Sequence, residues 1–432
     1  MSIMKLPYGN QSVQLSLPSG MKSTPIVYEG AAFYDGTDPA AIYAAEQEIL
    51  LAAMHKPVGT PPLHDMYRAG QQVVILVSDG TRLAPSCRFL PLLIASLETR
   101  GMHASDLTIV VALGSHRRHT QGELQALVGR AVYEKYEVVN HSSRWEDCKL
   151  LGWTSRGTPV ALNSRVVEAD LVIATGGIEP HRMAGMSGGI KALFPGCAAA
   201  ASITHNHHLG MEATEKPGDI RNPVHADMLE VLRFQPVHFL LNVIVDHERR
   251  ILAAVAGDCM QAHAYGCQLV KKLFFTKVET QHDLVLVSAG GSPKDVHLYQ
   301  ALKAFQNAAD FTRPGGSIVC VAECPEHYGN GHFQQLIQSS ATVADMDQRV
   351  RTMYQLGAHK AITLHKLVQR FALYLYSAMP PSLVEACEII PIVQLADLEA
   401  LIHDMWASRY LDPTFSSAWM PFGSITYSSG LT

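Results

Sequence analysis

Through the N-terminal half of the chain, short apolar runs alternate with amphipathic stretches, and each run gives way to a polar loop. The runs "QQVVILVSD" (71–79), "DLTIVVALGSH" (106–116), "YEVVNH" (136–141) and "ADLVIATGG" (169–177) have the length and continuous apolarity of buried strands. Between the first two, "PLLIASLETRG" (91–101) predicts a helix, and Thr120 with Glu123 three residues on predicts the capped start of another. The same rhythm resumes at "HDLVLVSAGGSPKD" (282–295), followed by the helix "VHLYQALKAFQNAAD" (296–310) and the strand "GSIVCVAEC" (316–324). Between the blocks, "VHFLLNVIVDHERRILAAVAGD" (237–258) predicts a β-hairpin turning at "DHERR". Alternation of this kind predicts an α/β fold of two domains, with mainly parallel sheets flanked by helices. The boundary is expected near residue 275, giving domains 1–275 and 276–432.

Composition narrows the class. A length of 432 residues exceeds one ordinary domain, and 47% apolar residues suffice for large cores. A net charge of −5 argues against a nucleic-acid partner, which calls for a basic surface. The run "HFLLNVIV" is too short to span a membrane, and the N-terminus has no signal-peptide pattern. Of eight scattered cysteines only Cys320 and Cys324 are close, and "CVAEC" reads as a strand end rather than a metal pair. A reduced, cytoplasmic setting is expected.

Candidate chemistry gathers where the strands end. The loops "SDGTR", "GSHRRHT", "VNHSS", "GGIEPH" and "SAGGSPKD" each follow an apolar run. Ligands of open α/β sheets bind beyond the carboxyl ends of the strands, which predicts an active-site cleft between the two domains. His116 and His181 suit general acid/base work, although each alone reads more readily as an ordinary loop histidine. Together they offer the two opposed groups that a racemase places on either face of a planar intermediate. Arg82 suits a carboxylate or phosphate through its two-point fork, with Asp79 and Thr81 beside it; the plain reading is an Asp-Gly turn. Gln300 and Lys303 share a helix face, which serves a substrate carboxylate or mere solvation.

Two further stretches carry chemistry. In "ITHNHHLG", His205, His207 and His208 lack the spacing of a three-ligand zinc site, leaving one imidazole for a metal whose other ligands come from elsewhere. In "PHRMAGMSGGIKALFPG" (180–196), Lys191 is followed by Ala192, Leu193 and Phe194, whereas a Walker loop would place Ser or Thr next. That apolar setting suits an amine used as a nucleophile.

In order and spacing, "SDGTR", "GSHRRHT", "NH", "EPHRMAGMSGGIKALFPG", "NHH", "NPVHADM", "SAGGSPKD" and "YQALK" resemble the motifs of the lactate racemase family, the nickel-pincer nucleotide-dependent 2-hydroxy-acid racemases and epimerases. The resemblance runs from about residue 70 to 335. It implies a cofactor-binding and catalytic N-terminal domain and a substrate-binding C-terminal one. The implied cofactor is a pyridinium-3,5-bisthiocarboxylic acid mononucleotide carrying nickel, covalently attached at Lys191. His207, sixteen residues later, would be the nickel ligand. His116 and His181 would be the acid/base pair. Asp79, Thr81 and Arg82 would bind the cofactor; Arg82, Gln300 and Lys303 would bind substrate. Gly185, Gly188 and Gly189 would let the backbone approach the cofactor. The implied reaction is reversible hydride transfer at C2.

The chain departs from the lactate pattern in places. "AHKAITLHKL" lacks the tryptophan expected from the C-terminal domain, and the bulky Arg182 follows His181. A substrate larger or more polar than lactate is expected, such as a dicarboxylate or a sugar acid. Expected partners are that 2-hydroxy acid, the enzymes that build the cofactor, and a second copy if the chain is a homo-oligomer; no nucleic acid or membrane is expected. The alternatives are a nicotinamide-dependent 2-hydroxy-acid dehydrogenase and a non-catalytic cofactor-binding protein. No strand here ends in a full G-x-G-x-x-G, and the co-occurrence of His116, His181 and Lys303 favours an enzyme.

Overall fold

The computed structural model describes residues 3–211, 216–339, 342–352, 357, 359–409 and 414–431. The chain forms two compact units, one of residues 32–272 and one that joins residues 1–31 to 273–432. The division after 272 falls in the last turn of the helix Cys259–Phe274. Residues 1–31, expected in the N-terminal domain, belong to the other unit. Their hairpin, Ile3–Tyr8 with Gln11–Ser16, buries Met4, Leu6, Val13 and Leu15 against Leu284, Leu286, Val319 and Val321. The short strand Ser23–Pro25 then pairs in parallel with Ser417–Met420.

In the 32–272 unit a six-stranded sheet runs Ile251–Gly257, Phe239–Val245, Leu171–Gly177, Val73–Ser78, Leu107–Ala112, Glu137–Asn140. Every neighbouring pair is parallel except the first, which is the predicted hairpin. Its turn is built by Asp246, whose carboxylate accepts from Glu248 N, Arg250 N and Arg250 Nε. The Val73–Ser78 strand is apolar without alternation because both of its faces are covered: Val73, Ile75 and Val77 pack with Phe89, Leu93 and Leu97, and Val74 and Leu76 on the other face are buried as well. Those last three lie on a helix that spans Ser86–Glu98 and holds Pro91 inside it, whereas the sequence reading started the helix at Pro91. Buried Phe89 and Leu90 extend the apolar stripe upstream of the proline, and packing of that stripe outweighs the lost amide. Thr120 and Glu123 form the predicted capping box.

The second unit has its own six-stranded sheet: Ile390–Ile392, Ala372–Tyr376, Thr312–Val321, His282–Ser288, Ser417–Met420, Ser23–Pro25. Its neighbours are all parallel. Cys320 lies within the Thr312–Val321 strand and Cys324 just beyond it, both fully buried. Among the described residues, no helix is long and apolar enough to cross a membrane.

Candidate active site

Parallel pairing brings the ends of the strands in the 32–272 unit to one edge, with Ser78 opposite Ala112 and Val111 opposite Asn140. The loops that follow Ser78, Ala112, Asn140 and Gly177 therefore leave the sheet on the same side, and Asp79, Thr81, Arg82, His116, His181 and Lys191 of the expected site come from them.

The first loop is a tight turn organised by Asp79. Its Oδ1 accepts from Thr81 N at 2.7 Å and from the Thr81 hydroxyl, while Arg82 N donates to the Asp79 carbonyl at 3.0 Å. Its other oxygen, Oδ2, lies 3.2 Å from His116 Nδ1. Burial pushes the Asp79 carboxyl upward, but the His116 hydrogen bond, the Arg82 charge and Thr81 outweigh it and hold the group well below the usual carboxylate range. An ionised Asp79 only accepts, so His116 Nδ1 carries the proton and Nε2 is left basic. Asp79 is 4% exposed and His116 43%, which gives a dry brace under a wet imidazole. Arg82 reaches to 4.0 Å from Glu179, two residues before His181.

His181 sits in a small hairpin, Pro180–His181 with Gly185–Met186. Ala184 N donates to His181 Nδ1 at 3.1 Å, so this imidazole, when neutral, carries its proton on Nε2. The two histidines thus stand in opposite tautomers, one ready to accept at Nε2 and the other ready to donate there. The hairpin is closed by Ser187, whose N–H donates to the Glu179 carbonyl and whose hydroxyl donates to the Gly177 carbonyl.

Lys191 follows on a short 3-10 turn, Gly189–Ala192, and is half-buried. At the glycines before it, protein rather than open space lies where a Cβ would point. A Cβ on Gly185 would fall 2.1 Å from the Asp219 carbonyl oxygen, one on Gly188 2.6 Å from Asn242 Oδ1, and one on Gly189 2.7 Å from the His263 ring. All three have positive φ, and protein fills the space where side chains would go. Asn242 Oδ1 accepts from Gly189 N at 2.7 Å, and His263 Nε2 meets the Ser187 carbonyl at 2.8 Å. His263 stacks on His225 with ring centroids 5.7 Å apart. Burial, then the nearby His263 and Lys191 charges, push His225 down to about 4.

His207 lies on the helix Ala200–His208, with Nδ1 2.8 Å from the Ile203 carbonyl one turn back. Nδ1 is therefore the protonated nitrogen and Nε2 carries the lone pair, the form in which imidazole ligates a metal. His205 instead faces Thr158, with Nδ1 2.9 Å from its hydroxyl, which in turn donates to buried Asp227. Asp227 also accepts from Thr154 and from Asn206, the residue before His207, and so fixes this helix. A basic Nε2 on His207 and a half-buried amine at Lys191 fit the donor set that a tethered nickel nucleotide requires of the protein.

Gln300 and Lys303 lie in the other unit, on the helix Leu298–Ala308, partly exposed beside fully buried Ala301 and Leu302. His297 caps that helix, its Nδ1 accepting from Gln300 N. One residue before Gln300, the Tyr299 ring carries the Lys360 ammonium 3.7 Å from its centroid.

The sequence reading missed Asn242, His263 and His119. Asn242 is a lone polar residue inside the apolar run "FLLNVIV", and that interruption was the available signal. His263 on its helix had none.

Two family models match the chain: the lactate racemase N-terminal domain over residues 8–218 and the lactate racemase C-terminal domain over 277–393. The lactate racemase of Thermoanaerobacterium thermosaccharolyticum is 32% identical over 354 residues, covering 81% of each chain. That of Lactiplantibacillus plantarum is 29% identical over 357 residues, covering 82% of each. The solved lactate racemase apoprotein of T. thermosaccharolyticum is similar with a TM-score of 0.85 at 27% identity, over 98% of this chain and 99% of that one. A Thermotoga maritima protein shares the fold with a TM-score of 0.62 at 16% identity, over 90% of this chain and 97% of that one.

Proposed function

The chain belongs to the lactate racemase family, and from that premise we propose that it inverts the hydroxyl-bearing carbon of a 2-hydroxy acid, with a nickel-pincer nucleotide held by Lys191 and His207. Membership makes it a racemase, an isomerase. The observation that carries the finer reading is the buried Asp79 carboxylate 3.2 Å from His116 Nδ1, which leaves Nε2 of that imidazole to take a proton. His116, with Nδ1–H on Asp79, takes the hydroxyl proton at Nε2, and the Asp79 carboxylate stabilises the imidazolium that forms. His181, charged as the imidazolium, returns a proton to the alkoxide from the other side and ends neutral; in the reverse direction the roles exchange, with His116 starting charged. When bound, the nickel-pincer nucleotide supplies an acceptor for the hydride on C2.

Lys191 would anchor that group through its amine, and His207 Nε2 would offer nickel a ligand. Asp79, Thr81 and Arg82 would hold the cofactor, with Arg82 also reaching the substrate carboxylate. Gln300 and Lys303 complete the grip on the substrate. A substrate larger or more polar than lactate, a dicarboxylate or a sugar acid, is supported by the absence of tryptophan from "AHKAITLHKL" and by Arg182 beside His181. A cytoplasmic location is supported by eight cysteines that are all free thiols.

The test is chemical. Protein made alongside the cofactor's biosynthetic enzymes should show a mass adduct that maps to Lys191. His207→Ala should lose nickel by elemental analysis while His205→Ala keeps it. An adduct on another lysine, or nickel unmoved by His207→Ala, refutes the assignment. Lactate emerging as the best of a 2-hydroxy-acid panel refutes the substrate class.

A further inference from the structure

His116 and His119 stand three residues apart in "HRRH" and close on two consecutive residues of the same turn. His116 holds Asp79 Oδ2 at 3.2 Å, and Gly80 N donates to His119 Nε2 at 2.9 Å. The peptide joining Asp79 to Gly80 is a rigid plane, and both of its polar groups are tied. His119 takes its N–H, and Arg82 N donates to its carbonyl at 3.0 Å. With that plane fixed and Oδ1 held by Thr81, the Asp79 side chain has one direction left for Oδ2, which is His116.

His119 is braced in turn by the last residue of the neighbouring strand, Glu137–Asn140. His119 N donates to Asn140 Oδ1 at 3.0 Å, and Asn140 Nδ2 donates to the His119 carbonyl at 2.9 Å. By contrast, the intervening Arg117 points to solvent and pairs with Glu123. Because His119 accepts at Nε2, its proton sits on Nδ1, which is buried with no hydrogen-bond partner among the described residues.

We propose that His119, braced by Asn140, is the positioning residue that holds the Asp79 carboxylate on His116 and so keeps Nε2 of His116 basic. The proposal rests on the reading in which His116 exchanges a proton with substrate, and its first readout is independent of that reading. In ¹⁵N NMR of the full-length apoprotein, with His116 assigned by the signals lost in His116→Gln, wild type should show the Nδ1–H tautomer. His119→Ala should move His116 toward the Nε2–H form that free imidazole prefers. His119→Gln, whose amide oxygen can accept from Gly80 N, should restore the wild-type pattern. In cofactor-loaded protein, kcat of His119→Ala should fall roughly 10-fold or more at nearly unchanged KM, with recovery in His119→Gln.

An unchanged His116 tautomer in folded His119→Ala overturns the proposal. If that variant does not fold by circular dichroism, Asn140→Ala takes its place, with the same shift expected and the same null result decisive. A tautomer shift alongside a fully active His116→Gln would support the clasp and overturn the catalytic role of His116, so the two failures are told apart.

Discussion

Two loops leave the same edge of one sheet and are held in opposite ways. The His116 turn is wet and charged, fixed by hydrogen bonds from side chains to backbone: Asp79 to Thr81, His119 to Gly80, Asn140 to His119. The Lys191 loop is dry and close-packed, fixed by glycines with no room for a Cβ and by the buried polar groups Asn242, His263 and His225. The difference fits the roles proposed for the two loops. Hydrogen bonds at its edge orient the His116 ring and leave its other nitrogen to substrate, and interior packing best fixes a loop proposed to anchor a large cofactor.

The comparison breaks most visibly in kinetics. His116→Gln should reduce racemisation by ~10²–10⁴-fold in both directions, while its exposure keeps the unfolding free energy within about 0.5 kcal/mol of wild type. His181→Gln should behave alike. A rate near wild type for either, in a progress curve followed by chiral chromatography, would remove the acid/base pair.

Stability should respond in the opposite place. Gly189→Ala puts a Cβ 2.7 Å from the His263 ring at a φ of 55°. It should cost about 2–4 kcal/mol in urea denaturation. Gly80→Ala meets nothing nearer than His119 Nε2 at 3.4 Å and has no positive φ. It should cost about 1 kcal/mol or less. Equal costs would mean that the two loops are not held differently.

Acid should separate them as well. Burial, helped by the His263 and Lys191 charges, lowers His225 to about 4 from 6.5. Between those values the unfolded chain binds more protons than the folded one, so stability rises with pH. The contribution is full above about 6.5 and is lost as pH falls toward about 4, on the order of 3 kcal/mol in all. His225→Gln should flatten that slope. Asp79 acts lower: burial raises its carboxyl, but His116, Arg82 and Thr81 lower it further, so its contribution is present above the ordinary value of 3.8 and is lost below it. Urea midpoints that fall only below about pH 4 would contradict the assignment to His225.

Much of this was legible in the chain. Strands buried on both faces show as unbroken apolar runs, so Val73–Ser78 and Leu171–Gly177 were readable, as was the hairpin turning at Asp246. Loops at the carboxyl edge of parallel strands must gather, and Asp79 and His116 could therefore be grouped before any contact was known. What was not legible depends on partners distant in sequence. The alternation Met4, Leu6, Val13, Leu15 shows that one face of the N-terminal hairpin is buried, but not that residues near 284 and 320 cover it. The glycines before Lys191 show that a side chain is barred, but not that Asp219, Asn242 and His263 bar it. A histidine that holds a backbone amide looks, in sequence, like any other loop histidine, which is why His119 passed unnoticed.

The central claim is that the α hydrogen leaves C2 as a hydride and returns from the protein-held acceptor. Two facing histidines alone would serve equally well for a route in which one removes a proton from C2 and the other supplies a solvent proton. Substrate deuterated at C2, incubated in ordinary water with the cofactor-loaded enzyme, distinguishes the two. The account predicts racemised product that keeps most of its deuterium by mass spectrometry, with a primary isotope effect wherever transfer limits the rate. Deuterium washed into solvent at the pace of racemisation would contradict it.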